Sequence, residues 1–185
     1  LNEKTKNKKM HLSYNIVAGH PYLVKHIAYN IDDLQINEII ESDSLHSYLY
    51  EGMPLDVVTL DRERQRITKL LQNSGYYKFN KDFIVYQADT IRNSYLVDLT
   101  MKLLPYRRRK EDAPTKHQTF KIRNVNFVTD DNVINMGNDF IGYDSIRYKG
   151  LHFYFKDNYY LRPNTLYDFN HIRPQSLYNE QDVQD

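Results

Sequence analysis

Residues 22–33, YLVKHIAYNIDD, return at 120–131 as FKIRNVNFVTDD. The match runs position by position: Tyr22 with Phe120, Val24 with Ile122, Ile27 with Val125, Tyr29 with Phe127, Asp32 with Asp130. Both copies read as strands, and in both the apolar alternation slips by one residue between the second and third apolar positions. A two-residue period that skips at the same place twice points to a shared bulge or change of buried face. A chain that repeats a strand at this spacing is built from tandem copies of one small unit.

Further pieces extend the repeat. In 97-VDLTMKL-103, Val97, Leu99, Met101 and Leu103 alternate with Asp98, Thr100 and Lys102, the pattern of a strand with one buried and one wet face. Near the N-terminus 10-MHLSYNI-16 has the same pattern, with Met10, Leu12, Tyr14 and Ile16 on one side, and reads as a third, partial copy. Late in the chain, 178-YNEQDV-183 can be laid on 55-LDVVTL-60.

Between the first strand and 97–103 the signals are helical. Asp32 or Asp33 can cap a helix with Ile36, Ile39 and Ile40 inward. Asp56 caps a second, with Val57, Leu60, Ile67, Leu70 and Leu71 on one stripe and the pairs Asp61–Arg64 and Glu63–Arg66 on the wet face. Gly75 ends it, because glycine reaches the left-handed conformation that ties off the last carbonyls at no Cβ cost. Tyr76, Tyr77 and Phe79 then fall at the seam between helix and sheet, and Phe83-Ile84-Val85-Tyr86 opens the next strand. The unit is strand, helix, helix, strand, strand. The predicted division is 1–19 as the last strand of a preceding unit, 20–104 as a complete unit, 105–118 as a linker, and 119–185 as a partial unit with an insertion over 130–162. The insertion is expected to carry a hairpin of 151–155 with 159–161, and helix starts are expected at Asn164 and Asn179.

Composition narrows the function. Of 185 residues 41% are hydrophobic, enough for a core, and 25 basic against 24 acidic residues leave a net charge of +1. That charge supplies no field for nucleic acid. The one basic run, Arg107-Arg108-Arg109-Lys110, leads into Glu111-Asp112-Ala113-Pro114 and reads as solvated linker. Cysteine is absent, which excludes disulfides, thiol nucleophiles and thiolate metal sites. No apolar run approaches a membrane span, no signal-peptide pattern follows Leu1, and the chain reads as an excised soluble piece.

Taken in order, "AGHPY" before the first strand, "EGMPLD" before the second helix and "SGYY" after it resemble the POTRA (polypeptide-transport-associated) domains of BamA/TamA-type outer-membrane assembly proteins. The stretches "LDRERQRITKLLQNSGYYKFNKDFIVYQADT" and "LRPNTLYDFNHIRPQSLYNEQDV" resemble the versions found in Bacteroidetes. The resemblance covers nearly the whole chain; the insertion 130–162 is longer than the simplest such domains carry. It implies an α+β fold of tandem βααββ units, each a small mixed three-stranded sheet covered by two helices. It also implies a periplasmic arm at the outer membrane, a membrane β-barrel C-terminal of Asp185, and, as partners, unfolded outer-membrane proteins and accessory periplasmic lipoproteins. In such a sheet the second strand, here Phe83, Ile84, Val85, Tyr86, Gln87 and Ala88, lies at an edge and can take an added peptide strand.

Sites for chemistry are not expected. The seven histidines show no metal-binding spacing, and no nucleophile elbow or phosphate loop occurs. Asp130, Asp131, Asn132, Asn135, Asn138 and Asp139 offer oxygen ligands without an EF-hand glycine or terminal Glu, and read as a polar loop. No enzyme activity, cofactor or metal is therefore expected. The alternative to a polypeptide-binding arm is a surface glycan- or protein-binding module, suggested by 17 tyrosines and above all by Tyr143, Tyr148, Tyr154, Tyr159 and Tyr160.

Overall fold

The computed structural model describes residues 2–6, 9–17, 19–109, 111–129, 142–156 and 161–184. It opens on a hairpin of β1 (Asn2–Lys6) and antiparallel β2 (Lys9–Ser13). The strand expected to run through Ile16 stops at Ser13: Tyr14 and Ile16, read as inward, are 68% and 86% exposed, with no helical layer above them among the described residues.

Next come β3 (Leu23–Asn30), α1 (Leu34–Ser42), α2 (Val57–Asn73), β4 (Ile84–Thr90) and β5 (Leu96–Leu103). The sheet order is β3-β5-β4, with β3 parallel and β4 antiparallel to the central β5. This is a small mixed sheet under two helices, the α+β class read from the sequence. The slip in β3 is a bulge between Val24 and His26, which keeps Val24 in the core and lets the strand turn without losing β5.

One face of the sheet is buried. Val97, Leu99 and Met101 are 1% exposed or less, as alternation requires; Met101 packs with Ile36, Ile40, Ile67 and Leu71 from the helices, and Val97 and Leu99 form a second cluster with Val24, Leu49 and Met53. Asp33 is the α1 cap, its Oδ1 accepting from Gln35 N at 3.1 Å; Asp56 caps α2 through Thr59 N at 3.0 Å. The expected stripe on α2 is displaced. Val57 is 79% exposed, and Leu70 is half-buried outside both clusters.

Of the two charge pairs placed on the wet face, Glu63–Arg66 forms but is largely buried, and Asp61, partly exposed, bonds other partners than Arg64. Glu63 has no exposure at all. Its carboxylate accepts from Ser47 Oγ at 3.0 Å, Tyr48 N at 2.9 Å and Arg66 Nη2 at 2.7 Å, and Arg66 reaches on to Asp43. The buried acid thus clamps the α1–α2 connection onto α2, and the desolvated charge is tolerated because its lone pairs are occupied. Asp61 bonds Gln65 and Lys81 in place of Arg64, whose guanidinium lies 5.2 Å from the Tyr86 ring centroid.

Gly75 has φ +98°, as its place after the helix predicts. Its N–H donates to Gln72 O and that of Tyr76 to Leu71 O, a Schellman end. The same glycine receives the next unit: Phe120 N–H donates to Gly75 O at 2.8 Å, and a Cβ here would stand 3.2 Å from Leu177 Cδ2. Tyr76 and Phe79 fill the core beside it, while Tyr77 meets Phe120 and Tyr178 edge-on. The segment 105–118 folds back on itself through paired Tyr106 and Thr115 bonds, and His117 packs on Phe79 and Phe83.

In the second copy the repeat is visible bond by bond. Val24 N–H donates to Met53 O, Gly52 N–H to Val24 O and Leu55 N–H to Tyr22 O. At the matching positions Ile122 N–H donates to Ser176 O, Gln175 N–H to Ile122 O and Tyr178 N–H to Phe120 O. Gly52 and Gln175, equivalent in this frame, both have positive φ, +88° and +67°. The overlay of 178–183 on 55–60 is therefore in register: α4 (Glu180–Gln184) starts where α2 does, with Asn179 Oδ1 accepting Gln181 N. The helix α3 (Pro163–Phe169) begins at its proline, one residue before Asn164.

The hairpin differs from expectation. β8 (Leu151–Phe155) pairs antiparallel with β7 (Asp144–Tyr148) through Lys149-Gly150, both at positive φ as a type I′ turn demands. On its other side β8 runs parallel to β6 (Asn126–Val128), so neither side remains for 159–161; Tyr159 and Tyr160 lie outside the described residues, as does the Asp130–Asp139 oxygen set.

Candidate functional site: the free edge of β4

Which backbone groups of β4 face outward follows from two bonds at its ends. Leu104 N–H donates to Phe83 O and Ile91 N–H to Leu96 O. In an antiparallel ladder these hydrogen-bonded pairs alternate, so 85, 87 and 89 turn their peptide groups to β5. Tyr86, Ala88 and Thr90 turn theirs away, and none has a backbone partner among the described residues.

The six predicted residues therefore divide. Phe83 is not in the strand; it closes a one-turn helix, Lys81–Phe83, and its half-buried ring packs on Phe79 and His117 because the chain must rise out of the core before pairing. Ile84 is 1% exposed and spends its N–H on Lys81 O. Val85 and Gln87 lie on the uncovered face, where Lys102 Nζ donates to Gln87 Oε1 at 2.6 Å and Gln87 Nε2 to Asp89 Oδ2 at 3.0 Å. Only Tyr86 and Ala88 contribute both open peptide groups. Thr90 joins them and was missed, because its position on the strand end carries no apolar signal.

Tyr86 anchors the edge. Its ring is half-buried between the two core clusters, under Arg64, and burial followed by the Glu63 charge pushes its phenol well above the ordinary tyrosine range. With that side chain anchored, an added strand meets a preformed template. Ala88, opposite Leu99, presents no bulk and is exposed.

The sheet's opposite edge is partly covered: the segment Gly52–Leu55 occupies the outward groups of Tyr22 and Val24. Among the described residues no group of three His, Cys, Asp or Glu side chains could hold a metal ion, and no helix is long and apolar enough to cross a membrane.

No protein-family model matches this chain, and no curated protein matches it. Among solved structures it is similar to the crystal structure of Haemophilus influenzae BamA POTRA domains 3–5, at 13% identity and a TM-score of 0.48 over 88% of this chain and 47% of that one. It is also similar to the N-terminal domain of Omp85 from the thermophilic cyanobacterium Thermosynechococcus elongatus, at 8% identity and a TM-score of 0.30 over 90% of this chain and 83% of that one. The chain thus spans about half the length of the first of these.

Proposed function

We propose that this chain is a polypeptide-receiving module of POTRA type, Bacteroidetes variety, whose β4 edge takes an added strand from an unfolded protein. The supporting observation is the row of outward peptide groups at Tyr86, Ala88 and Thr90, on a strand anchored in the core by Ile84 and Tyr86. Main-chain pairing supplies affinity with little demand on sequence, which suits a receiver of many different clients. In this reading the module stands at the periplasmic face of the outer membrane in a protein that also carries a membrane barrel. Its clients are unfolded outer-membrane proteins and its docking partners accessory lipoproteins.

The test is titration of the labelled chain with barrel-strand peptides of unrelated sequence. Amide shifts centred on 86–90, weak affinity and low selectivity are expected, and Ala88→Pro should abolish them, since it removes an outward N–H and adds a ring to the edge. Oligosaccharide shifts at the tyrosines of 143–160 with silence at 86–90 would replace the proposal by the glycan reading. That reading gains nothing from Tyr143 and Tyr148, whose rings are already covered by Lys156 and Lys149.

A further inference from the structure

The two copies of the first strand are used differently, and the difference exposes a second strand-accepting edge. In the second copy the inward and outward sides of β6 are set by His152 N–H donating to Val125 O and Thr129 N–H to Tyr154 O. Val125, Phe127 and Thr129 therefore face β8. In the first copy the equivalents of these residues are Ile27, Tyr29 and Ile31. There β5 lies on the other side: Leu23 N–H donates to Tyr95 O, and after the bulge His26, Ala28 and Asn30 face β5. Ile27 and Tyr29 turn their peptide groups outward, with no backbone partner among the described residues.

The inserted hairpin has thus added a parallel strand to the very edge that the first unit leaves open. Side-chain packing follows the pairing. Phe153 of β8 is fully buried and stacks on Phe127 at 5.0 Å between ring centroids and 9° between planes. The residue equivalent to Phe127 is Tyr29, which is 42% exposed and borders a small pocket with Asn37, Ile40, Glu41, Ser47 and Arg66.

We infer that Ile27, Tyr29 and Ile31 form a second acceptor edge, taking an extended segment that runs parallel to β3 and sets an aromatic side chain on the Tyr29 ring. The occupant's chemistry is that of Leu151-His152-Phe153-Tyr154-Phe155: apolar and aromatic residues at alternate positions toward the helices, with no charge among them. The β4 edge differs in direction, since a strand added there continues an antiparallel or unconstrained pairing and meets Tyr86 only through its backbone. The inference is independent of the proposed use of β4.

The test uses the whole chain, isotope-labelled, and a peptide of residues 150–156, GLHFYFK, as the probe. Amide shifts at 27, 29 and 31 are expected, unchanged in Ala88→Pro and weakened at least tenfold when the peptide's central phenylalanine is replaced by serine. In the chain, Tyr29→Ser should weaken binding by a similar factor while leaving the amides of β5 in place, which separates loss of the stacking partner from unfolding. Shifts confined to 86–90, or a response equal for the serine peptide, would overturn the inference.

Discussion

At the scale of single residues, Glu63 and Gly75 carry consequences out of proportion to their size. Glu63 reads in sequence as one half of an exposed i,i+3 pair, yet it is the buried acceptor for Ser47, Tyr48 and Arg66. Glu63→Ala leaves Arg66 with Asp43 alone and strands two donors of the connecting loop, so the expected loss is about 3–5 kcal/mol, read by urea unfolding. Leu71→Ala, emptying a fully buried site, should cost about 2–5 kcal/mol, and Leu70→Ala clearly less, the reverse of equal weight along the stripe. Gly75→Ala forces a Cβ into the left-handed region beside Leu177 and should cost about 1–3 kcal/mol. An unchanged unfolding midpoint would remove Gly75 from the joint between the units.

Among the elements, β4 and the 105–118 segment make separable predictions. Proline at 88 should leave stability nearly intact, because Ala88 N–H faces outward, whereas Gln87→Pro should remove a ladder bond to Thr100 and lower the melting temperature. His117 ties the returning segment to the sheet: its Nε2 lies 2.9 Å from Leu104 O, and burial holds its pKa below the ordinary histidine value. The neutral ring is the folded form, with Nε2–H donating to that carbonyl. A lowered folded pKa means that the unfolded chain takes the proton first. The His117 contribution is therefore complete above about pH 6.5 and is lost as pH falls through the folded pKa. The His117 ring resonances followed from about pH 8 to 5 should show it titrating below the ordinary histidine value, and His117→Phe should flatten the acid limb of the stability curve.

For the whole molecule, the joint between the units is a small set of contacts on the end of α2: Phe120 N–H on Gly75 O, Tyr77 against Phe120 and Tyr178, and Gln181 N–H on Asn73 Oδ1 at 3.1 Å. Aromatic edge contacts of this kind contribute about 0.5–1.5 kcal/mol each beyond their buried area. Tyr77→Ala should therefore leave the first sheet intact and release the second unit. The expected reading is faster hydrogen exchange at the Phe120 amide with no change at Leu99 or Met101; equal protection at Phe120 in the variant would show that the joint rests on the backbone bond alone.

Period and punctuation were enough, on sequence alone, to determine the strand–helix–helix–strand–strand order, the Asp56 cap, the Gly75 end, the buried alternation of 97–103 and the tandem repeat. Each is local or self-referential, because a strand's two faces, a helix cap and a repeated bulge are written in neighbouring residues. What a residue meets across the fold is not. Only the tertiary structure decided that Glu63 is interior, that Val57 is exposed, and that Phe83 turns into the core before the strand begins. The partner of 151–155 was likewise a tertiary decision: Lys149-Gly150 offered a two-residue turn, but an apolar run on either side of 151–155 satisfied the same pattern. Strand edges belong to this second class as well. Whether Tyr86, Ala88 and Thr90 or Ile27 and Tyr29 face open space depends on which strands lie beside them, and hydrogen-bond partners come from residues that are distant in the chain.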